Sequence, residues 1–247
     1  MNAPAPKDPV DQWIARVAAG RTFVDVGGIG VNAVNERVTF AARAGASRVA
    51  MADIRPFSYY EWDVFNQKCA AAGVTAVDRY ENVDIADPAL ATTLPRFDVV
   101  HCTGIFYHLP SPVSAFDTLQ AIVGRYLIIN TVTIPERIDN AAGSLEFHGN
   151  VALFLPGVSD RERAILSAHY DGRYQWLFKD VAPALDAQAA ATMPYRVNGR
   201  FSSWPYWWLM TDDCFRSLIR LMGFAIREEW KWDGHCLFCL CERESAA

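Results

Sequence analysis

The residues best placed to do chemistry lie near the amino terminus, in Gly28-Ile29-Gly30-Val31-Asn32-Ala33, with Asp53 twenty positions after Ala33. A glycine loop between a strand and a helix lets a ligand come close to the backbone, where a Cβ would block it. It also offers main-chain N–H groups to an anion or a nucleoside. An acid about 20 residues further on is placed for the hydroxyls of a ribose. The spacing matches the GxGxxA form of a dinucleotide fingerprint, so a nicotinamide cofactor is one reading and another adenosine-bearing cofactor is the second. Three features favour the second. Asp25 stands inside the strand, two residues before Gly27, where dinucleotide sheets carry an apolar residue. A further acid pair, Asp84 and Asp87, follows the third strand. The chain also ends in a hairpin that does not suit a doubly wound dinucleotide sheet.

The elements that must position these groups are legible from hydrophobic period and punctuation. Residues 22–26 read as a buried strand running into Gly27, and residues 31–44 as a helix stopped by Gly45. Residues 48–53 are a second strand, 59–72 a helix closed by Gly73, and 76–80 a third strand. Residues 97–102, a helix over 113–123 and a strand over 125–132 continue the alternation. Strands alternating with helices at this spacing predict a parallel sheet covered on both faces. The rhythm breaks at Pro135 and resumes with a helix over 211–222. The strands 224–232 and 236–242 follow, joined by Asp233-Gly234, a strong hairpin signal. The expectation is one α/β domain over 1–247, Rossmann-like, with a seven-stranded mostly parallel sheet, a terminal antiparallel hairpin and an inserted lid at 135–205.

Composition narrows the function. The chain has 247 residues, 51% hydrophobic and 21% charged, with a net charge of −5. That balance supplies no global attraction to nucleic acid or to anionic lipid. No apolar run approaches the ~20 residues of a membrane helix, and the opening MNAPAPKDPVDQW has no secretory pattern. The six cysteines therefore read as reduced thiols of a cytoplasmic protein. Cys236 and Cys239 form a CxxC, but in a strand residues three apart face opposite sides, so no metal is expected.

With those residues laid out, the chain resembles the class I S-adenosylmethionine-dependent methyltransferases over residues 22–134 and 211–243. The motifs are Val24-Asp25-Val26-Gly27-Gly28-Ile29-Gly30, Met51-Ala52-Asp53, Val83-Asp84-Ile85, and the block from Phe97 through His101, Cys102, Thr103, Gly104, Tyr107 and His108 to Leu109. The last block is similar to the wobble-uridine tRNA-modifying branch and its small-molecule relatives. The resemblance implies S-adenosylmethionine as cofactor. Gly27, Gly28 and Gly30 would lie under its methionine part, Asp53 on the ribose hydroxyls, and Asp84 with Ile85 at the adenine. Cys102 and Thr103 would pass beside the sulfonium. The sequence departs from the family at Gly28, where a cysteine or another spacer is more common.

Methyl transfer is an in-line displacement in which a protein supplies positioning and a dry pocket, with a general base where the acceptor carries a proton. The segment beside the expected methyl position holds Tyr107 and His108, and His108 reads either as that base or as a residue pinning the loop. His148 and His169 read as surface histidines of the insertion. Residues 195–208 contain six aromatics in fourteen positions, and Tyr174, Trp176 and Phe178 precede them. Aromatic faces attract cations such as a sulfonium, yet the same rings also suit the small core of a lid. Arginines 161, 163, 173, 196 and 200 form no basic stripe, so a small metabolite is the expected acceptor rather than tRNA. The chain is also similar to the azetidine-2-carboxylate synthases, through its Gly-Gly loop, Tyr60-Glu61-Trp62 and the aromatic lid. That kinship implies a second reaction, cyclisation of the cofactor with release of methylthioadenosine. Asn140, Tyr174 and Ser203 would then orient the amine and face the sulfonium. A third reading is a cofactor-binding partner module without chemistry, which intact Asp25, Gly30, Asp53 and Asp84 disfavour.

Overall fold

Because the strands at 22–26, 48–52 and 97–102 are mostly apolar, with one charged residue each, burial on both faces suits them, and a parallel sheet sandwiched by helices satisfies this. A computed structural model describes residues 8–87, 89–90, 93–170, 195–202 and 205–244. Its main sheet contains β1 (Thr22–Val26), β2 (Arg48–Ala52), β3 (Asp78–Tyr80), β4 (Phe97–Cys102) and β5 (Val123–Val132), together with β12 (Phe224–Trp232) and β13 (Cys236–Arg243). The strand order is β12-β13-β5-β4-β1-β2-β3. β1 to β5 are parallel, and β13 enters antiparallel between β5 and β12. The hairpin turn has Asp233 and Gly234 both at positive φ, 48° and 76°, with His235 N–H donating to Trp232 O. That is the type I′ geometry that matches strand twist.

Alternation along the strands divides the core in two. Val24 and Val26 of β1 face a cluster with α5 (Pro112–Ile122) and α7 (Asp212–Leu221). Phe23 faces the other side, against α1 (Pro9–Val17), α3 (Val38–Arg43) and α4 (Tyr60–Ala71). Cys239 and Cys241 belong to the first cluster, whereas Cys236 packs with the insertion, so the CxxC pair does face opposite ways. All six cysteines carry free thiols. Among the described residues no helix is long and apolar enough to cross a membrane.

Two elements differ from the sequence reading. The helix expected over 31–44 is two pieces, α2 (Gly30–Ala33) and α3. Asn32 and Ala33 have φ of 56° and 52°, and the interruption lets Glu36, buried at 5% exposure, cap Thr39 N–H at 3.0 Å. The helix α1 was not anticipated, although Asp8-Pro9 is an N-cap followed by a proline at the first helical position. Asp8 Oδ1 accepts from Asp11 N–H at 2.9 Å.

The stretch expected to be a lid has structure of its own. It begins with the hairpin β6 (Arg137–Asn140) and β7 (Gly143–Glu146), then β8 (Ala152–Phe154) and α6 (Asp160–Tyr170). After the undescribed residues come the short strands β9 (Arg196–Val197) and β10 (Arg200–Phe201). β11 (Trp208–Met210) pairs with β8, and Ile134 N–H donates to Met210 O, so the covering unit closes just beyond residue 205.

Candidate functional site

The register brings the carboxyl ends of three parallel strands level: Val26 pairs with Ala52 on one side and with Cys102 on the other. Gly27, Asp53 and Thr103 therefore emerge side by side. Gly27 N–H donates to Ala52 O at 2.8 Å, and Asp53 N–H to Tyr80 O at 3.0 Å. The chain order reverses between β1 and β4, which is the switch point where open α/β sheets bind ligands.

The glycine loop is shaped from below. Gly27 has φ +82°, and a Cβ there would lie 2.7 Å from Ile105 Cγ2. A Cβ on Gly28 would lie 2.7 Å from Asp25 Oδ2 and 2.9 Å from Met51 Cε. The absence of a side chain at Gly28 is thus required by the buried acid of β1, a reason the loop pattern alone did not supply. At Gly30 the near neighbour is the guanidinium of Arg55, 3.3 Å from a Cβ position.

Asp53 is 1% exposed, and each oxygen takes a main-chain N–H: Ile29 on Oδ2 at 3.2 Å, Arg55 on Oδ1 at 2.9 Å. The Arg55 guanidinium approaches Oδ1 at 3.5 Å. Burial pushes the Asp53 carboxyl above its ordinary range, and the Arg55 and Ile29 contacts oppose that rise without cancelling it. A carboxylate oxygen has two lone pairs; Oδ1 meets the N–H and the guanidinium of Arg55, and Oδ2 the Ile29 N–H. Asp84 is half-buried, and its Oδ1 accepts from Ala86 N–H at 2.9 Å, while Ile85 is buried in the core.

The side chain of Cys102 does not reach the edge. It is fully buried in the α5 side of the core, where burial and the nearby Asp25 charge push its thiol far up. Thr103, the next residue, does stand at the edge. Its hydroxyl lies 3.1 Å from His101 Nε2, and His101 Nδ1 lies 2.8 Å from Asp25 Oδ1. Gly104, at φ +81°, donates to Asn130 Oδ1 at 2.7 Å, and Asn130 Nδ2 donates to Cys236 Sγ at 3.0 Å. Asn130 was not singled out from the sequence, and His101 entered only as part of the motif at the end of β4. Each is a polar residue inside a buried apolar strand, a signal of required partners, but the partners appear only when the strands are aligned.

Tyr107 and His108 form a 3₁₀ turn under the cover. Tyr107 stacks on Tyr206 at 4.4 Å, and the His108 ring meets Tyr206 edge-on at 4.6 Å. His108 Nδ1 bonds Pro205 O at 3.3 Å, and Trp207 N–H donates to Tyr107 O at 3.0 Å. These contacts tie the turn to the 205–207 segment. The rings of the cover pack on one another: Trp207 meets Phe154, Tyr195 and Phe201, and its Nε1 donates to Ser202 O at 2.7 Å. Tyr206 and Trp207 are accordingly core residues of the cover, not an open cage of faces.

Asn140 ends β6 away from this edge. Its Nδ2 donates to Ile165 O and its Oδ1 accepts from Ala142 N–H, both at 2.9 Å, so its amide closes the β6–β7 hairpin onto α6. Both polar atoms of its side chain are thus engaged within the inserted segment. Tyr174, Trp176 and Ser203 lie outside the described residues. His148 is exposed, whereas His169 is half-buried with its ring 5.0 Å from that of His235, a correction to its reading as a surface residue.

No protein-family profile matches the sequence, and no curated protein matches it. Solved structures match over nearly the whole chain. The magnesium protoporphyrin IX methyltransferase of Synechocystis PCC 6803 with bound SAH is 15% identical, with 95% of this chain and 80% of that one covered and a TM-score of 0.51. An S-adenosylmethionine-dependent methyltransferase of Mesorhizobium loti is 12% identical over 98% of this chain and all of its own, with a TM-score of 0.53. The N-terminal domain of EvdMO1, in the presence of SAH and D-fucose, is 14% identical over 98% and 85%, with a TM-score of 0.55. At such identities the likeness speaks for architecture. Together with the strand order and the antiparallel β13 next to the sheet edge, it gives this chain the Rossmann-like fold of the class I S-adenosylmethionine-dependent methyltransferases.

Proposed function

We propose that the protein binds S-adenosylmethionine along the carboxyl edge of β2, β1 and β4 and transfers its methyl group to a small-molecule acceptor beneath the 135–205 cover. The observation that carries this reading is the alignment of the Gly27–Gly28 turn, the Asp53 carboxylate and Thr103 at one switch point. The fold's solved neighbours, several of them bound to SAH, support it. The donor set fits at Asp53 Oδ2, which takes the Ile29 N–H and keeps a lone pair for a ribose hydroxyl, whereas Oδ1 is shared by the Arg55 N–H and guanidinium. Half-buried Asp84 stands at the adenine end.

When bound, S-adenosylmethionine supplies an electrophilic methyl group on a sulfonium. The residues of this chain hold and orient. The Gly27–Gly28 turn, braced from below by Asp25 and Ile105, keeps a rigid floor. Tyr107 and His108 fasten the cover to the edge of β4 and exclude water. Exclusion of water and fixed positioning are the main contributions a protein makes to such a displacement.

The test needs no acceptor. The purified protein is titrated with SAH by calorimetry, then incubated with S-adenosylmethionine alone and its products followed by mass spectrometry against a control without protein. SAH binding with S-adenosylmethionine left intact is the expected result. Protein-dependent methylthioadenosine together with a cyclic amino acid would replace methyl transfer by cyclisation. Absence of SAH binding would overturn the reading altogether.

A further inference from the structure

Arg55, two residues beyond Asp53, is held at every part of its length. Its main-chain N–H donates to Asp53 Oδ1 at 2.9 Å, and its carbonyl accepts from Trp62 Nε1 at 3.1 Å. One terminal guanidinium nitrogen lies 3.5 Å from Asp53 Oδ1, and Nε lies 3.9 Å from Glu61. That terminal nitrogen also stands 3.3 Å from the place a Cβ on Gly30 would take, so the bare glycine leaves it room. The Arg55 side chain is 15% exposed. Glu61 and Trp62 lie in the first turn of α4, where buried Trp62 is met edge-on by Phe57 at 4.9 Å. The Tyr60-Glu61-Trp62 segment, to which methyl transfer gives no task, thus fixes Arg55 against Asp53.

The consequence is electrostatic. A hydroxyl donates more strongly to a carboxylate than to a neutral carboxyl, so a ribose is held best while Asp53 carries its charge. Burial favours the neutral form, and the largest opposing influences are the N–H and then the charge of Arg55, ahead of the Ile29 N–H. The other charged groups nearby have the wrong sign. Glu61 of α4 stands behind Arg55, and Asp25 of β1 lies beneath Gly28. From the β3 side only main chain meets Asp53: its N–H donates to Tyr80 O, and its carbonyl accepts from Val83 N–H. Arg55 is the cation set against burial and these acids.

We propose that Arg55, clamped by Trp62 and Glu61, is a positioning residue that keeps Asp53 a carboxylate, with Oδ1 occupied and Oδ2 left for the ligand, and so extends cofactor binding to lower pH. This deepens, and rests on, the S-adenosylmethionine-binding reading above. Arg55 acts through Asp53 and needs no contact with the ligand. Its main-chain N–H holds the carboxylate in place whatever the side chain, so the guanidinium supplies the charge.

The experiment is a pH series on three proteins. Wild type, Arg55→Gln and Arg55→Lys are titrated calorimetrically with SAH, whose own ionisations are common to all three and cancel in the comparison. In Arg55→Gln the acid limb, along which SAH binding is lost, is expected to move to higher pH by about one unit, a tenfold change in proton affinity. Above both limbs this variant should bind SAH within about threefold of wild type. Arg55→Lys restores the charge and should return the limb toward wild type. A second measurement needs no ligand: the Asp53 carboxyl carbon, followed by ¹³C NMR, should titrate at higher pH in Arg55→Gln. Equal loss of SAH affinity at every pH, or an unmoved Asp53 titration, overturns the inference while SAH binding by the wild type stands. A wild type that does not bind SAH at all removes the binding reading and this inference with it.

Discussion

The sheet edge and its cover are built by different means. At the edge, positions are set by polar contacts that strand register enforces: Asp25 to His101, Gly104 to Asn130, Asp53 to the amides of Ile29 and Arg55. In the cover, positions are set by rings packing on rings: Tyr107 on Tyr206, and Trp207 among Phe154, Tyr195 and Phe201. The edge therefore presents directional polar groups, while the cover presents packed surface. On the proposed function, a fixed donor belongs to the directional half and the acceptor to the half made of packed rings.

The largest effect is expected in the cover. Tyr206, 1% exposed, should cost about 3–5 kcal/mol of stability when changed to alanine, measured by denaturant unfolding. A cost under about 1 kcal/mol would mean that the cover is a loose shell and the contrast with the edge is misdrawn. Next comes Gly28→Ala, whose Cβ meets the Asp25 carboxylate at 2.7 Å. Overpacking of this kind costs about 1–3 kcal/mol, and SAH affinity should fall roughly 30-fold, about 2 kcal/mol. Retained affinity would show that the loop tolerates a displaced Asp25.

Asp53→Asn sharpens the comparison because binding and stability should move in opposite directions. SAH should bind about tenfold more weakly. Burial raises the Asp53 carboxyl in the folded protein, so folding favours its protonated form. Its contribution to stability is greatest below the ordinary carboxylate range and declines as pH rises through the raised folded value. At neutral pH the charge is therefore held at a cost, and the asparagine variant should melt no lower than wild type, with its advantage shrinking toward acid pH in thermal scans. A lower melting point at pH 7 would mean that the Ile29 and Arg55 contacts outweigh burial. The smallest effect belongs to Phe201→Ala. That ring is 65% exposed at the rim of the cover, and the change should stay within about 0.5 kcal/mol.

Much of the edge was legible beforehand. The βα alternation, the Asp233-Gly234 hairpin and the approximate strand limits follow from local rules, since burial on both faces leaves apolar runs and turns need particular residues. The broken helix at Asn32–Ala33 was not legible, because residues 31–44 carry helical spacing throughout and only the buried Glu36 interaction reveals the interruption. Asn140 shows what residue type alone leaves open. Its residue type suits an orienting role, but its neighbours in space are the carbonyl of Ile165 and the amide of Ala142. In the cover, a cluster of aromatics can be a cage or a core, and composition is the same for both.

By itself the sequence determined the order of strands and helices, the loop of glycines and the acids that follow successive strands, because each of these depends on residues adjacent in the chain. Tertiary structure alone decided that Asp25, His101 and Thr103 form one chain, that Cys102 turns its thiol into the core, and that Tyr206 packs instead of facing a ligand. The physical reason is that hydrogen bonds and ring contacts join groups far apart in the chain, 97 positions for His108 and Pro205 and 215 for Trp13 and Glu228, and only the register of the sheet and the closing of the cover bring them together.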